Sequence, residues 1–335
     1  MASPENRGRA IPGDSGTSIA PTYTGAMSVF TAITEQQLAA LLADHNLRPV
    51  SFHAASEGIE NSNFFVHAET PEGDSRQLVL TLLENLEANA LPWFVTLLSK
   101  LDQAGLPVPR PLEGRRGTVS QVAGKPALLV PRLPGQHVDQ SHPGHCEAVG
   151  AALATLHACS MPRPTHHDGP AEQLVALMPL LHDEPQALQH DALGLLTRWA
   201  AREGMPVLCH GDLFRDNVLF EDDQLSGLLD FYNAGHELAV WDLAVASNDW
   251  CVNPDGSPDP ARERALLMGY GRVRALPMQE LALLPLARTV AALRFYLSRR
   301  KPARAGAEGR ASKDPAEFMR IYQQRLERLG RDARR

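Results

Sequence analysis

Apolar residues along this chain recur with both the helical and the strand period, and the two alternate in a definite order. From residue 31, Leu38, Leu41 and Leu42 fall on one helical face, and Thr34-Glu35 supplies a cap. Residues 51–55, 63–69 and 77–83 read as strands. Thr70-Pro-Glu-Gly-Asp-Ser75, between the last two, has turn chemistry. Residues 89–104 return to the helical period with Phe94, Leu97, Leu98 and Leu101 on one side. Gly105 ends that helix, and Pro107, Pro109 and Pro111 keep the following chain extended. Two more strands are predicted over 118–122 and 127–131. Beyond residue 142 helices dominate: 147–158, one or two within 172–204, then 236–250, 260–274, 278–300 and 314–329. The last opens on Asp314-Pro315 and carries Glu317, a cap, a first-turn proline and a box partner. One stretch, 207–230, interrupts the helices with two short apolar runs, 217–220 and 225–229, around the acidic turn Glu221-Asp-Asp-Gln224.

This order predicts an α+β chain. Residues 1–26 form a Pro/Gly/Ser/Thr-rich disordered extension without the apolar stretch of a secretory signal. Residues 27–131 make a small sheet with an intervening helix. Residues 132–142 are a Pro/Gly-rich hinge, and 143–330 form a helical lobe. The length of 335 residues suits roughly two such units at about 150 residues each. With 44% apolar and 21% charged residues the chain is neither disordered nor fibrous. A net charge of −7 argues against nucleic acid as a partner. Cys146, Cys159, Cys209 and Cys251 form no CxxC pair, so they read as reduced thiols in a cytoplasmic protein. Apolar runs such as 281–287 fall far short of a membrane span, which argues against a membrane partner.

The informative segment is His210-Gly-Asp-Leu-Phe-Arg-Asp-Asn217, followed after a short hairpin by Leu228-Leu-Asp-Phe231. Phosphoryl transfer needs a carboxylate to orient the attacking hydroxyl, and oxygen ligands for the Mg²⁺ that bridges the nucleotide phosphates. Asp212 suits the first role, Asn217 and Asp230 the second. Asp230 stands between apolar Leu229 and Phe231, where an ionised group needs a partner. Each of these residues alone would be an ordinary turn residue; their combination and order are what point to a kinase. His166-His167-Asp168 and His142-Pro-Gly-His145-Cys146 lie in loop-like stretches, lack a second half at metal-finger spacing, and are not read as metal sites.

HGDLFRDN followed by LLDF resembles the H-G-D-x-x-x-x-N and D-F elements of the aminoglycoside phosphotransferase and choline kinase superfamily, relatives of protein kinases. Within it, Gly58-Ile-Glu-Asn-Ser-Asn-Phe64, Leu78-Val-Leu-Thr-Leu-Leu-Glu84 and Leu293-Arg-Phe-Tyr-Leu-Ser-Arg299 resemble the homoserine kinases of threonine biosynthesis. The resemblance implies a protein-kinase-like two-lobed fold, with a small antiparallel, nucleotide-binding N-lobe and a mainly helical C-lobe that holds the catalytic loop. It implies ATP and Mg²⁺, Asp212 as catalytic base, and Asn217 and Asp230 as metal ligands. It assigns His210 and Asp242 to supporting the loop by hydrogen bonds. Arg132 and Leu133 would belong to the hinge against which adenine lies. Gly58, Asn61, Ser62 and Asn63 would stand over the phosphates, in place of a strict G-x-G-x-x-G. Thr81 occupies the position where kinases carry a lysine, so Arg76 or Lys125 is left to supply charge there.

The acceptor the resemblance implies is L-homoserine, a small zwitterion. Its carboxylate calls for an arginine and its ammonium for an acid or amide. Homoserine-kinase likeness selects Arg294 for the carboxylate, and Asn248 and Asp249 are candidates for the ammonium. Choline, ethanolamine, hydroxylysine or an aminoglycoside are the alternative acceptors. A nucleotide-binding scaffold without catalysis is the non-enzymatic alternative, which the complete Asp212, Asn217 and Asp230 set argues against.

Overall fold

A computed structural model of the chain describes residues 30–55, 61–86, 89–164, 169, 172–301 and 314–332. The predicted 1–26 extension, Gly58 and His166-His167-Asp168 lie outside the described residues. Helix α1 (Glu35–Asp44) starts where its cap predicts. The Thr34 hydroxyl accepts from Gln37 N–H at 3.2 Å, and the Gln37 side chain accepts from Thr34 N–H at 2.8 Å. Strands β1 (Arg48–Ala54), β2 (Ser62–Glu69), β3 (Ser75–Leu82), β4 (Ser120–Val122) and β5 (Lys125–Pro131) form an antiparallel sheet in the order β1-β2-β3-β5-β4.

Period-two alternation sorts the side chains of this sheet onto two faces. Phe64, Val66, Leu78, Leu80 and Leu129 join Leu38, Leu41 and Leu42 of α1 in a small outer core. On the opposite face Val79 and Thr81 pair with Val130 and Leu128. Leu128 and Val130 belong to the large core of the helical lobe, together with Leu91, Phe94, Leu97 and Leu101 of α2 (Leu91–Gln103). Helix α2 is tied to that lobe as well: Trp93 Nε1 donates to Pro162 O at 2.8 Å and Lys100 Nζ to Ser160 O at 3.0 Å. Helix α2 and one face of the sheet thus share the large core of the helical region.

The helical lobe comprises α3 (Pro143–Ala158), a 3-10 stretch (Glu172–Leu181), α4 (Gln186–Ala200), α5 (Ala239–Trp250), α6 (Pro260–Val273), α7 (Met278–Arg299) and α8 (Pro315–Asp332). Inserted among them are the β7–β8 hairpin (Val218–Glu221, Gln224–Leu228) and the pair β6–β9 (Val207–Cys209, Gly235–Glu237). The β6–β9 strands have three residues each, too few to show a period in the sequence. Pro179 lies inside the 3-10 stretch, where the sequence suggested an α-helix. In α8 Asp314 caps Ala316 N–H at 2.8 Å, but Glu317 turns away from the box and pairs with Arg299 at 2.6 Å. Helices α3 and α6 meet backbone to backbone, since a Cβ at Gly150 would overlap Leu266 O and one at Gly269 would overlap Glu147 O. Helix α7 has the length and composition to cross a membrane, but 67% of its most apolar stretch is buried inside the protein. Apolar runs alone understate it, because Arg288 and Arg294 interrupt them.

Candidate active site

The loop that carries Asp212 follows β6 and is held from several sides. Gly211 adopts φ +80°, a conformation that glycine enters without a Cβ penalty. His210 is fully buried; its Nε2 donates to Leu229 O at 2.9 Å, and its Nδ1 accepts from Asp212 N–H at 3.2 Å. Burial pushes this imidazole below its ordinary range, against the opposing pull of Asp242. The neutral form this favours is the one that can accept from Asp212. Asn217 Nδ2 donates to Asp212 O at 2.8 Å, and Asn217 O accepts from Leu229 N–H at 2.9 Å. Leu229 is thus bonded to His210 on one side and to Asn217 on the other. The next residue, half-buried Asp230, sits in the left-handed region at φ 61° and ψ 63°. An aspartate tolerates that conformation at a cost of about 1–3 kcal/mol, which the bonds flanking it must sustain. The structure therefore bonds Asn217 to Asp212 directly and fixes Leu229, the residue before Asp230, against the same loop.

Beneath the loop lies a buried polar chain. Asp242 has no solvent exposure, and its carboxylate accepts from His210 N–H at 2.6 Å and Gly211 N–H at 2.8 Å. It also accepts from His157 Nε2 at 3.1 Å; His157 Nδ1 meets the Tyr270 hydroxyl at 3.0 Å, and that hydroxyl accepts from Arg274 at 2.6 Å. Burial alone would raise the Asp242 carboxyl, but the hydrogen bond and charge of His157, aided by Gly211 N–H, hold it below the usual carboxylate range. Burial pushes Tyr270 up to about 12, so its hydroxyl keeps its proton. His210 and Asp242 both hydrogen-bond within this loop region, and sequence reasoning missed His157 and Tyr270. The only sequence signal for His157 is a histidine among apolar residues near the end of α3.

The nucleotide side is less simple. The Arg132 guanidinium lies 4.3 Å over the Phe65 ring, and Arg132 N–H donates to Gln77 O at 3.0 Å. Leu133 packs by Gly227 of β8, and Gln136 and Phe220 exchange backbone bonds at 2.9 Å, so the hinge rests on the β7–β8 hairpin. Ser62 is fully buried, donating to Glu84 at 2.6 Å and accepting from Phe30 and Thr31 N–H. Asn61 Oδ1 accepts from Glu84 N–H at 3.1 Å. Ser62 thus gives its hydroxyl proton to Glu84, which corrects the expectation that it is given over to phosphate, whereas Asn61 commits only its amide oxygen. Asn63 is on the other sheet face, where its Oδ1 accepts from the Thr81 hydroxyl at 2.8 Å. Lys125 forms a 3.2 Å ion pair with Glu84, and Arg76 lies at the far end of β3 beside Asp74 at 3.9 Å.

On the acceptor side, Arg294 is 5% exposed, and its Nη2 donates to Gln173 at 2.8 Å and Asn233 at 3.3 Å. Asn233 ends the 3-10 turn that follows Asp230. The structure does not place the two ammonium candidates with it. Asn248 is fully buried with both ends of its amide engaged, by Arg288 O at 2.7 Å and Arg325 Nε at 2.9 Å. Asp249 accepts from Arg215 N–H at 2.7 Å and Nε at 3.1 Å through one oxygen, and from Nη2 at 3.3 Å through the other. Both residues brace the lobe. A cavity of about 640 Å³ behind the loop is lined by Ser141, Arg215, Arg262 and Arg320, and none of Asp212, Asn217 and Asp230 borders it. His142 and His145 converge on Asp223 at 3.4 and 3.1 Å. In each ring Nδ1 accepts a backbone N–H, so Nε2 carries the proton and donates to the carboxylate. These contacts clasp the hairpin to α3.

The loop, the hairpin and the braced aspartate are accompanied by a family match: the phosphotransferase enzyme family model covers residues 51–276. The chain belongs to this family. The homoserine kinase of Pseudomonas aeruginosa strain LESB58 is 44% identical over 309 residues, covering 89% of this chain and 96% of the relative. Among solved structures, the amicoumacin kinase hAmiN in complex with AMP-PNP, Ca²⁺ and Ami aligns at a TM-score of 0.63 with 17% identity, covering 88% of this chain and 93% of that one. A microcompartment-associated aminopropanol kinase aligns at 0.61 with 18% identity, covering 90% and 98%. The fold is therefore that of the kinase-like phosphotransferases. As a member of the family the chain is an ATP-dependent kinase with a hydroxyl acceptor.

Proposed function

We propose that the chain phosphorylates the side-chain hydroxyl of L-homoserine, giving O-phospho-L-homoserine, with ATP as donor and Mg²⁺ as the metal. The observation that carries the acceptor is near-full-length identity of 44% to a homoserine kinase, far above that to the amino-alcohol and antibiotic kinases of the same fold. Asp212 accepts the hydroxyl proton and aims the oxygen at the phosphoryl group. His210 and Asn217 fix its backbone from both sides, so little reorganisation is needed when the acceptor arrives. Asn217 spends its Nδ2 on Asp212 O, which leaves its amide oxygen, a hard donor that suits Mg²⁺ together with the Asp230 carboxylate. When bound, Mg²⁺ neutralises charge on the transferring phosphoryl group. Arg294 reads the acceptor carboxylate. Adenine lies at Arg132 and Leu133, and Asn63 serves the phosphates. A cytoplasmic location accords with four unbridged cysteines.

The test is a panel of L-homoserine, choline, ethanolamine, hydroxylysine and an aminoglycoside with Mg-ATP, scoring ADP release and the phosphorus spectrum of the product. A phosphate monoester on homoserine at the highest kcat/KM is expected. Preference for any other acceptor overturns the assignment.

A further inference from the structure

Arg294 is held by two side chains from separate elements. Gln173 comes from the 3-10 stretch before α4, and Asn233 from the turn that carries Asp230. Their amide oxygens accept from the same Nη2, at 2.8 and 3.3 Å. An amide oxygen orients a guanidinium without cancelling its charge, whereas a carboxylate in either place would compete with an incoming anion. The guanidinium also lies 4.3 Å over the Phe295 ring, and Phe295 meets Phe214 of the catalytic loop at a centroid distance of 4.5 Å. Arg294 is thereby registered against both the loop of Asp212 and the turn after Asp230.

We infer that Gln173 and Asn233 are positioning residues that select acceptors bearing a carboxylate, by holding the Arg294 guanidinium in one orientation; this rests on the homoserine reading above. Both residues act through Arg294. Each can be changed while the arginine stays.

The experiment compares two acceptors, L-homoserine and aminopropanol with its amine and hydroxyl at opposite ends, which is the same molecule without its carboxylate. Both are offered to the wild type, Gln173→Ala, Gln173→Glu and Asn233→Ala. The Ala variants are expected to raise the homoserine KM by about three- to tenfold, the scale of one oriented hydrogen bond. Gln173→Glu is expected to raise it further, because its charge occupies the guanidinium. For aminopropanol and for ATP, KM should stay within about twofold of wild type throughout, as expected when no contact to either is lost. A wild type that uses only the carboxylate-free alcohol would overturn the homoserine reading and this inference together. A wild type that prefers homoserine, with variants that shift both acceptors in parallel or neither, would overturn this inference alone. A misfolded variant is recognised by a changed ATP KM, and Gln173→Glu, which keeps the side-chain size, then decides the matter.

Discussion

The loop that carries Asp212 and the strand that carries Asn61, Ser62 and Asn63 both derive from short motifs, but they hold their side chains in different ways. In the loop, Asp212 and Asn217 are bonded to each other, Leu229 ties the chain just before Asp230 to Asn217, and Asp242 grips the backbone from below. In the sheet, Asn61, Ser62 and Asn63 are consecutive, so the pleat sends Ser62 and Asn63 to opposite faces. Ser62 ends buried with Glu84, and Asn63 meets Thr81 on the side shared with the large core. A loop motif can aim neighbouring residues at one point, while a strand motif can give only every second residue to a site.

Breaking the loop should have the largest effect. Asp212→Ala is expected to cost about 10²–10⁴ in kcat with an unchanged melting temperature, measured by ADP release and circular dichroism. Normal turnover in that variant would remove Asp212 from the chemistry. Asp242→Ala attacks the brace and leaves His157 and two backbone N–H groups without their acceptor. It is expected to destabilise the protein by about 3–5 kcal/mol in urea melts, as removing one partner of a buried pair does. A loss well under that would mean the network is ornamental.

The acid side sharpens the contrast, because His210 and Asp242 both titrate below their ordinary values when folded. Each therefore contributes stability that is present above its unfolded pKa and lost as pH falls through the folded one. For His210 the loss begins near pH 6.5, and for Asp242 near pH 3.9, going downward. Protonating His210 also removes the acceptor for Asp212 N–H. Activity is thus expected to hold through the ordinary histidine range and to fall only at a lower pH, where the folded His210 takes its proton. A rate that falls in the ordinary histidine range, or one unaffected by acid until the protein unfolds, would deny His210 that part. The smallest effect is expected on the sheet side. Lys125→Met breaks a half-exposed pair with Glu84, should cost no more than about 1 kcal/mol, and should leave the ATP KM unchanged. A large rise in that KM would restore Lys125 as the substitute for the missing lysine.

Much of this molecule was legible before its structure, and the exceptions share a cause. Thr34, the helical leucines and the proline-marked boundaries announce their elements because each signal is local. The loop motif is legible for the same reason, its groups being joined across one hairpin. What escaped depends on contacts between distant segments. His157, Tyr270 and Asp242 come from α3, α6 and α5, and nothing in their own neighbourhoods says that they meet. Asn248 and Asp249 look like free polar groups in the sequence, yet α7, α8 and Arg215 engage them. The sheet faces of Ser62 and Asn63 follow from strand register, which a one-residue shift would reverse.

The most direct test of the central claim, that one metal-bound nucleotide is gripped by Asn217 and Asp230, is calorimetric titration of ATP with and without Mg²⁺ into the wild type and Asp230→Ala. The wild type is expected to bind ATP tightly only when Mg²⁺ is present, and Asp230→Ala to lose that dependence while keeping weak, metal-independent binding. Equal strengthening by Mg²⁺ in both proteins would contradict the assignment.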